Sequence, residues 1–226
     1  IKMRQFKTQN VTAYSAALAI IKTQKMKKLS LLIVLLPLSI IAQEFDFGIN
    51  LGANLSYVTN DGLTKSPLQR TDNIGAGLLF GVYGDYSISD NLILDIELNY
   101  RQKRIETNSA RSLIDNPKLD FIDLSPSIKY SFGKILKQGI FIGLGPRVSF
   151  LTNSETDDGV EIENFFNSTT FGAQIVLGYS FENLIIIQMK LDYELSNLLE
   201  SDFSNGITNS LGIFFSVKLN INKLIK

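Results

Sequence analysis

The stretch FDFGINLGANLSY, residues 45–57, alternates without a break. Phe45, Phe47, Ile49, Leu51, Ala53, Leu55 and Tyr57 fall on one face of an extended chain, and Asp46, Gly48, Asn50, Gly52, Asn54 and Ser56 fall on the other. A helix would scatter both sets. The polar set is glycine and small side chains, where a solvated sheet face would carry Lys, Glu and Thr. A face of this kind looks into a narrow space. If the pattern recurs along the chain, the apolar face meets a large apolar solvent, and the sheet closes on itself inside a lipid bilayer.

The pattern does recur. Seven further segments alternate in the same way, at about 74–88, 92–101, 119–131, 140–150, 171–181, 185–195 and 210–220. Short turns at Ser89-Asp90-Asn91, through Gly133 and Gly139, and at Glu182-Asn183 separate some of them. Longer polar connections at 59–73, 102–118, 152–168 and 196–206 separate the others. Long loops on one side and short turns on the other are the asymmetry of outer-membrane barrels, and an even strand count puts both mature termini on the periplasmic side. Each segment, at ~10 residues or more, is long enough to cross a ~25 Å apolar band when tilted. Phe47, Tyr57, Tyr86, Tyr100, Tyr130, Phe150, Phe171, Tyr179 and Tyr193 lie toward strand ends, where interfacial girdles form. Pro126 and Pro146 fall inside strands and remove ladder donors, so a bulge or kink is expected at each.

From Met26 the chain reads Lys27-Lys28, an apolar run from Leu29 to Ile41, then Ala42-Gln43, the pattern of a secretory signal peptide cleaved after Ala42. Residues 1–25 are an upstream extension expected to lie outside the mature protein. The fold expectation is all-β: an eight-stranded antiparallel up-and-down transmembrane β-barrel over residues 43–226, preceded by a cleavable signal peptide at 26–42. A soluble lipocalin-like barrel is the structural rival, and it would need its apolar face inside.

Lys+Arg and Asp+Glu both number 22, but Lys2, Arg4, Lys7, Lys22, Lys25, Lys27 and Lys28 all precede residue 43, where no acid occurs. Setting those seven aside leaves 15 bases against 22 acids, a net charge of −7, which argues against nucleic acid as a partner. The chain has no Cys, so disulfides and thiolate metal sites are excluded. It has no His either, which removes the commonest general base and metal ligand. No catalytic set, metal or cofactor is expected.

The inward face carries Asp85, Asp95, Glu97, Arg101, Lys129, Arg147, Lys190, Asp192, Glu194 and Lys218. Isolated charges there would be costly to desolvate, so mixed signs at this density suggest a salt-bridged network filling the lumen. An eight-stranded barrel is just wide enough for side chains to fill. A narrow conducting path or proton relay is the alternative. Asp95 and Glu97 share one face two residues apart, but no nucleophile accompanies them. The acidic connection 152–168 offers Asp157, Asp158, Glu161, Glu163, Phe165 and Phe166 as candidate outer-loop contacts. Its carboxylates lack the spacing of an EF-hand loop, and its two phenylalanines are placed to enter the membrane interface or touch a partner.

The strand ends resemble the outer-membrane β-barrel domain of Bacteroidota, the PorT-like group. IELNYRQKR (96–104) is similar to a Glu-Leu-x-Tyr-Ser-Gln-Lys-Gly ending, FIDLSPSIKY (121–130) to a Tyr-Leu-Glu-Ile-Pro-x-x-x-Lys-Tyr strand, and GLGPRVS (143–149) to a Gly-Pro-x-x-Ser segment. Arg104 stands where that group usually has Gly, and Pro126 is displaced relative to Asp123. The resemblance implies residence in a Gram-negative outer membrane, lipid and barrel-assembly machinery as partners, and possible contact with other envelope proteins. Two functions follow as expectations: a non-enzymatic binding, anchoring or assembly scaffold acting through outer loops, or a transport or protein-secretion component.

Overall fold

The computed structural model describes residues 45–61, 74–106, 116–133, 138–162, 165–200 and 207–225. The expected signal peptide and upstream extension lie outside them, as does Glu163. Eight strands follow one another: β1 (Phe45–Asp61), β2 (Gly75–Ser87), β3 (Leu92–Arg104), β4 (Lys118–Ser131), β5 (Gly139–Glu155), β6 (Thr169–Phe181), β7 (Ile185–Glu194) and β8 (Ile207–Asn220). Each pairs antiparallel with the next, and β8 pairs with β1 from Gly48↔Asn220 to Asp61↔Ile207, closing an up-and-down barrel. Closure leaves no strand edge without a partner. A short helix, α1 (Ile221–Ile225), follows β8, and Asn222 Nδ2 donates to Phe45 O at 2.9 Å, tying the segment after the last strand to the start of the first.

Exposure follows the alternation. Leu51, Leu78, Phe80, Leu144, Ile175, Ile187 and Phe215 point outward and are exposed, whereas Asn50, Asp95, Glu97, Arg147 and Lys218 point inward and are buried. The lipocalin-like arrangement, apolar inside and polar outside, is thereby ruled out for the barrel's middle. The expected aromatic set faces outward, with tilted or edge-on ring pairs at Phe80–Tyr100, Tyr130–Phe132 and Tyr179–Phe181.

At the end bearing the long connections, the strands run further than the sequence pattern suggests. β3 continues to Arg104, β4 begins at Lys118 and β5 reaches Glu155, so the expected connections 102–118 and 152–168 are shorter. The reason is an inversion of the pattern. Past the apolar band Gln102, Arg104 and Lys118 occupy the outer face, and Ile105, Leu119 and Phe121 occupy the inner one. The chain there is built like a water-soluble sheet, which hides the strand from a search for outward apolar residues.

Of the bulge or kink expected at each proline, the bulge does not form. Pro126 and Pro146 face each other across the β4–β5 seam, so the two missing donors coincide. Pairing stops after Leu124↔Val148 and resumes at Ile128↔Leu144 in the same register. Pro126 still pairs with Ile96 on its other side, and Pro146 with Ala173. The register shift in this seam lies instead between Asp120 and Phe121. At the opposite end Glu182 and Asn183 both have positive φ, 48° and 57°, which is the primed hairpin turn that matches strand twist.

Candidate functional site

Inward-facing glycines seat the large inward side chains. Gly48 lies directly opposite Tyr83, and a Cβ there would sit 2.7 Å from the Tyr83 ring and 1.9 Å from Leu219 O. Gly178 lies opposite Phe141 in the same way. Gly172 lies beneath the Arg147 guanidinium, 2.7 Å from where a Cβ would be. Small residues on one strand thus make room for large ones on the next, which is how a narrow barrel is filled.

The inward charges form two separate sets, each of three acids and three bases. Toward the loop end Arg147 donates from Nε and Nη2 to the two carboxylate oxygens of Asp192, at 2.7 and 2.8 Å. It also lies 3.8 Å from Asp123 and from Glu194, and donates to Ser149 Oγ. Arg101 donates from Nε to Asp123 Oδ2 at 2.5 Å and from Nη2 to Ser149 Oγ at 3.3 Å, with its guanidinium 4.6 Å from the Phe121 ring centre. Lys103 Nζ donates to Glu194 Oε2 at 3.0 Å. Two-pronged guanidinium pairing of this kind fixes both partners in one plane.

Toward the turn end the cations are lysines. Lys218 Nζ lies 2.6 Å from Asp95 Oδ1 and 2.8 Å from Glu97 Oε1, and 4.4 Å from the Tyr83 ring centre. Lys129 Nζ lies 3.1 Å from Asp95 Oδ2 and 4.0 Å from Asp85 Oδ1. Lys190 pairs with Glu97. Glu97 gathers amides as well: Gln188 at 3.0 Å, Asn99 at 2.9 Å and Asn50 at 3.2 Å. Among the described residues no ion pair joins the two sets. Each set balances within itself, which is what burial of so many charges requires.

Above the loop-end set sits an apolar cap. Val58, Ile105, Leu119, Phe121, Ile162, Phe166, Leu198 and Leu199 are buried together, with Leu151 and Phe165 packed against them. Segments 165–167 and 198–200 pair across it: Asn167 N donates to Leu198 O at 2.9 Å, Glu200 N to Phe165 O at 3.1 Å, and Asn167 Nδ2 to Leu199 O at 3.0 Å. Phe166 is 1% exposed, so its candidacy as a membrane or partner contact is corrected: the ring closes the lumen from above. Phe165 is half-buried beside it, while Asp157, Asp158 and Glu161 are exposed. The described residues hold no cluster of three or more potential metal-ligating acids.

All ten charges named from the sequence lie in these two sets. Asp123 and Lys103 complete the loop-end set. Asp123 shares the parity of Lys129 along β4, which was signal enough. Lys103, 1% exposed, continues the parity of Arg101, but the basic pair Lys103-Arg104 reads as loop. The amides Asn50, Asn99 and Gln188 carry no sequence signal beyond facing inward.

The model of the family described as outer membrane protein beta-barrel domain matches residues 41–200. Among solved structures, the chain resembles Ail, the attachment invasion locus protein of Yersinia pestis, at 11% identity, covering 79% of this chain and 99% of that one with a TM-score of 0.46. It resembles Neisserial surface protein A at 14% identity, 77% and 97% coverage and a TM-score of 0.48. For OprG of Pseudomonas aeruginosa the values are 10%, 78%, 91% and 0.38. At such identities and scores the likeness says nothing of activity. No curated protein sequence matches the chain. The closed eight-stranded topology and the family match agree, and the chain belongs to the outer membrane protein β-barrel domain family.

Proposed function

We propose that the barrel is a closed, side-chain-filled anchor in the outer membrane and that the protein works as a binding, anchoring or assembly scaffold through the segments at its loop end. One observation carries this reading: the lumen is occupied along its length by two self-balanced charge sets beneath an apolar cap. Water and ions crossing it would have to break pairs that stabilise buried charges. The turn end and both mature termini face the periplasm in this reading, supported by the short-turn and long-loop asymmetry. Outer-membrane lipid covers the exterior, barrel-assembly machinery acts during insertion, and other envelope proteins are the class of partner for the loop end. The absence of His and Cys supports a non-enzymatic role.

A second reading has one specific support. The strand-end motifs at 96–104, 121–130 and 143–149 favour a PorT-like protein of Bacteroidota, and with it a part in transport or protein secretion. Purified, refolded protein in planar bilayers separates the channel form of that reading from the scaffold. Silence across a range of voltages is expected, and discrete open-channel steps would overturn the filled-lumen proposal.

A further inference from the structure

The two ends of the barrel wall finish differently. At the loop end the outward apolar residues stop at the Tyr100–Ile122 pair, and Gln102, Arg104 and Lys118 form polar rows beyond it. At the turn end no such row intervenes along β8. Phe215, Val217 and Leu219 alternate outward, and Ile221, the first residue of α1, takes the next position in that series. Leu219 lies between Ile185 of β7 and Ile49 of β1, so the wall on both sides of it is apolar as well. The helix therefore starts at the edge of the lipid-facing surface. Ile221, Leu224 and Ile225 have the i, i+3, i+4 spacing that gathers them on one side of a helical turn, with Lys223 on the opposite side. No residue of α1 is buried: Leu224 is 57% exposed and Ile225 78%. Neither plugs the lumen. The turn is held in place by the bond from Asn222 Nδ2 to Phe45 O, at the start of β1.

We propose that α1 is a membrane-interface anchor: Ile221, Leu224 and Ile225 enter the boundary between phospholipid headgroups and acyl chains at the turn end, and Lys223 stays on the water side among the phosphates. This rests on the reading of the barrel as embedded in the outer membrane, and carries its lipid contact past the last strand. Two features select lipid as the occupant. One is continuity, since the apolar side of the turn adjoins the lipid-facing wall with no polar row between them. The other is charge. A lysine opposite the apolar side is the arrangement of helices that lie in a bilayer interface, where apolar residues enter lipid and the ammonium meets anionic phosphate. A turn of five residues is also too short to persist in water by itself, and burial of its apolar side in the interface stabilises it. The tie to Phe45 places the anchor at the seam where β8 closes on β1.

The sequence has no Trp and no Cys, so single reporters of either kind are unambiguous. Ile225→Trp, refolded into dioleoyl phosphatidylcholine vesicles, is expected to emit at shorter wavelength than Asp158→Trp at the exposed loop-end turn. Phosphatidylcholine brominated near the glycerol end of its chains should quench it. Phe215→Trp on the wall reports insertion of the barrel in the same vesicles. A water-like Ile225→Trp beside a lipid-quenched Phe215→Trp overturns the anchor and leaves the barrel reading standing; a water-like Phe215→Trp overturns both. Tryptophan itself favours interfaces, so a second measurement uses cysteine. In nanodiscs of the same lipid, whose two faces are both open to reagent, Leu224→Cys should react with a water-soluble maleimide roughly tenfold more slowly than Lys223→Cys. The protein leaves both positions exposed, so protection of one comes from lipid. Equal rates overturn the proposal.

Discussion

The two halves of the lumen carry the same charge count and solve its burial in different ways. At the loop end two arginines hold acids in planar pairs and an apolar cap shuts out solvent. At the turn end three lysines, each a point charge, lie among amides and hydroxyls, whereas buried oxygens without protein partners occur in both halves, at Glu194, Ser154 and Thr170 toward the loops and at Asp85, Ser180 and Asn183 toward the turns. The guanidinium fork satisfies two oxygens at once; an ammonium does so only where acids converge on it, as Asp95 and Glu97 do on Lys218. The loop-end half rests on forked pairs, and the turn-end half on ammonium groups placed where acids converge.

Removing Arg147 should have the largest effect of any single change to this arrangement. Arg147→Met leaves Asp192 without its two-pronged partner and weakens the hold on Asp123 and Glu194, beneath the apolar cap, and should cost about 3–5 kcal/mol of unfolding free energy in a urea titration of the refolded barrel. The Arg147→Met and Asp192→Leu pair together should recover much of that loss, since neither charge is then stranded. A loss no smaller than the single change would show that the arginine matters for packing rather than pairing. Next comes the cap: Phe166→Ala should destabilise by about 3 kcal/mol and raise hydrogen exchange at Asn167 and Glu200, whose amides bridge the two cap segments. Unchanged exchange there would mean the cap is not one cooperative unit.

Lys218→Met should cost less than Arg147→Met, about 2–3 kcal/mol, because Lys129 still pairs with Asp95 and Lys190 with Glu97. Equal losses at the two lysine and arginine positions would erase the distinction between the halves. The smallest expected effect is at the exposed rim, where Lys118 Nζ lies 2.7 Å from Glu155 Oε1 with both side chains partly solvated. Lys118→Met should change stability by about 0.2–1 kcal/mol, and by less in high salt.

Along the barrel wall, the proline seam offers a related contrast within one pair of strands. Register on either side of Pro126 and Pro146 is unbroken, yet pairing lapses between them. Proline was legible in the sequence as a missing donor. That both missing donors meet at one place, sparing each strand a bulge, depends on which strands are neighbours and in what register, and period-two alternation carries no such information.

Alternation also explains what else could be read in advance. Where strands contact lipid, each residue's face decides its polarity, so eight strands, their facing and ten inward charges follow from the chain alone. Beyond the apolar band water replaces lipid, and polar residues return to the outside. The strand ends, Lys103 and the buried Phe166 were therefore misread as connection or contact. Asp123 was legible as inward, but its membership of a charge set depended on Arg101 and Arg147 arriving from other strands.

By itself, the sequence determined that this chain makes a closed sheet with a greasy outside, a polar inside, and no histidine or cysteine for chemistry. Only the tertiary structure decided that the inside divides into two neutral sets, that Lys218 meets Asp95 across 123 residues of chain, and that a cap closes one end. The reason is physical. Facing is fixed by the local solvent of each residue, whereas partnership across a lumen is fixed by closure, which brings β8 against β1 and sets distant side chains into one narrow space.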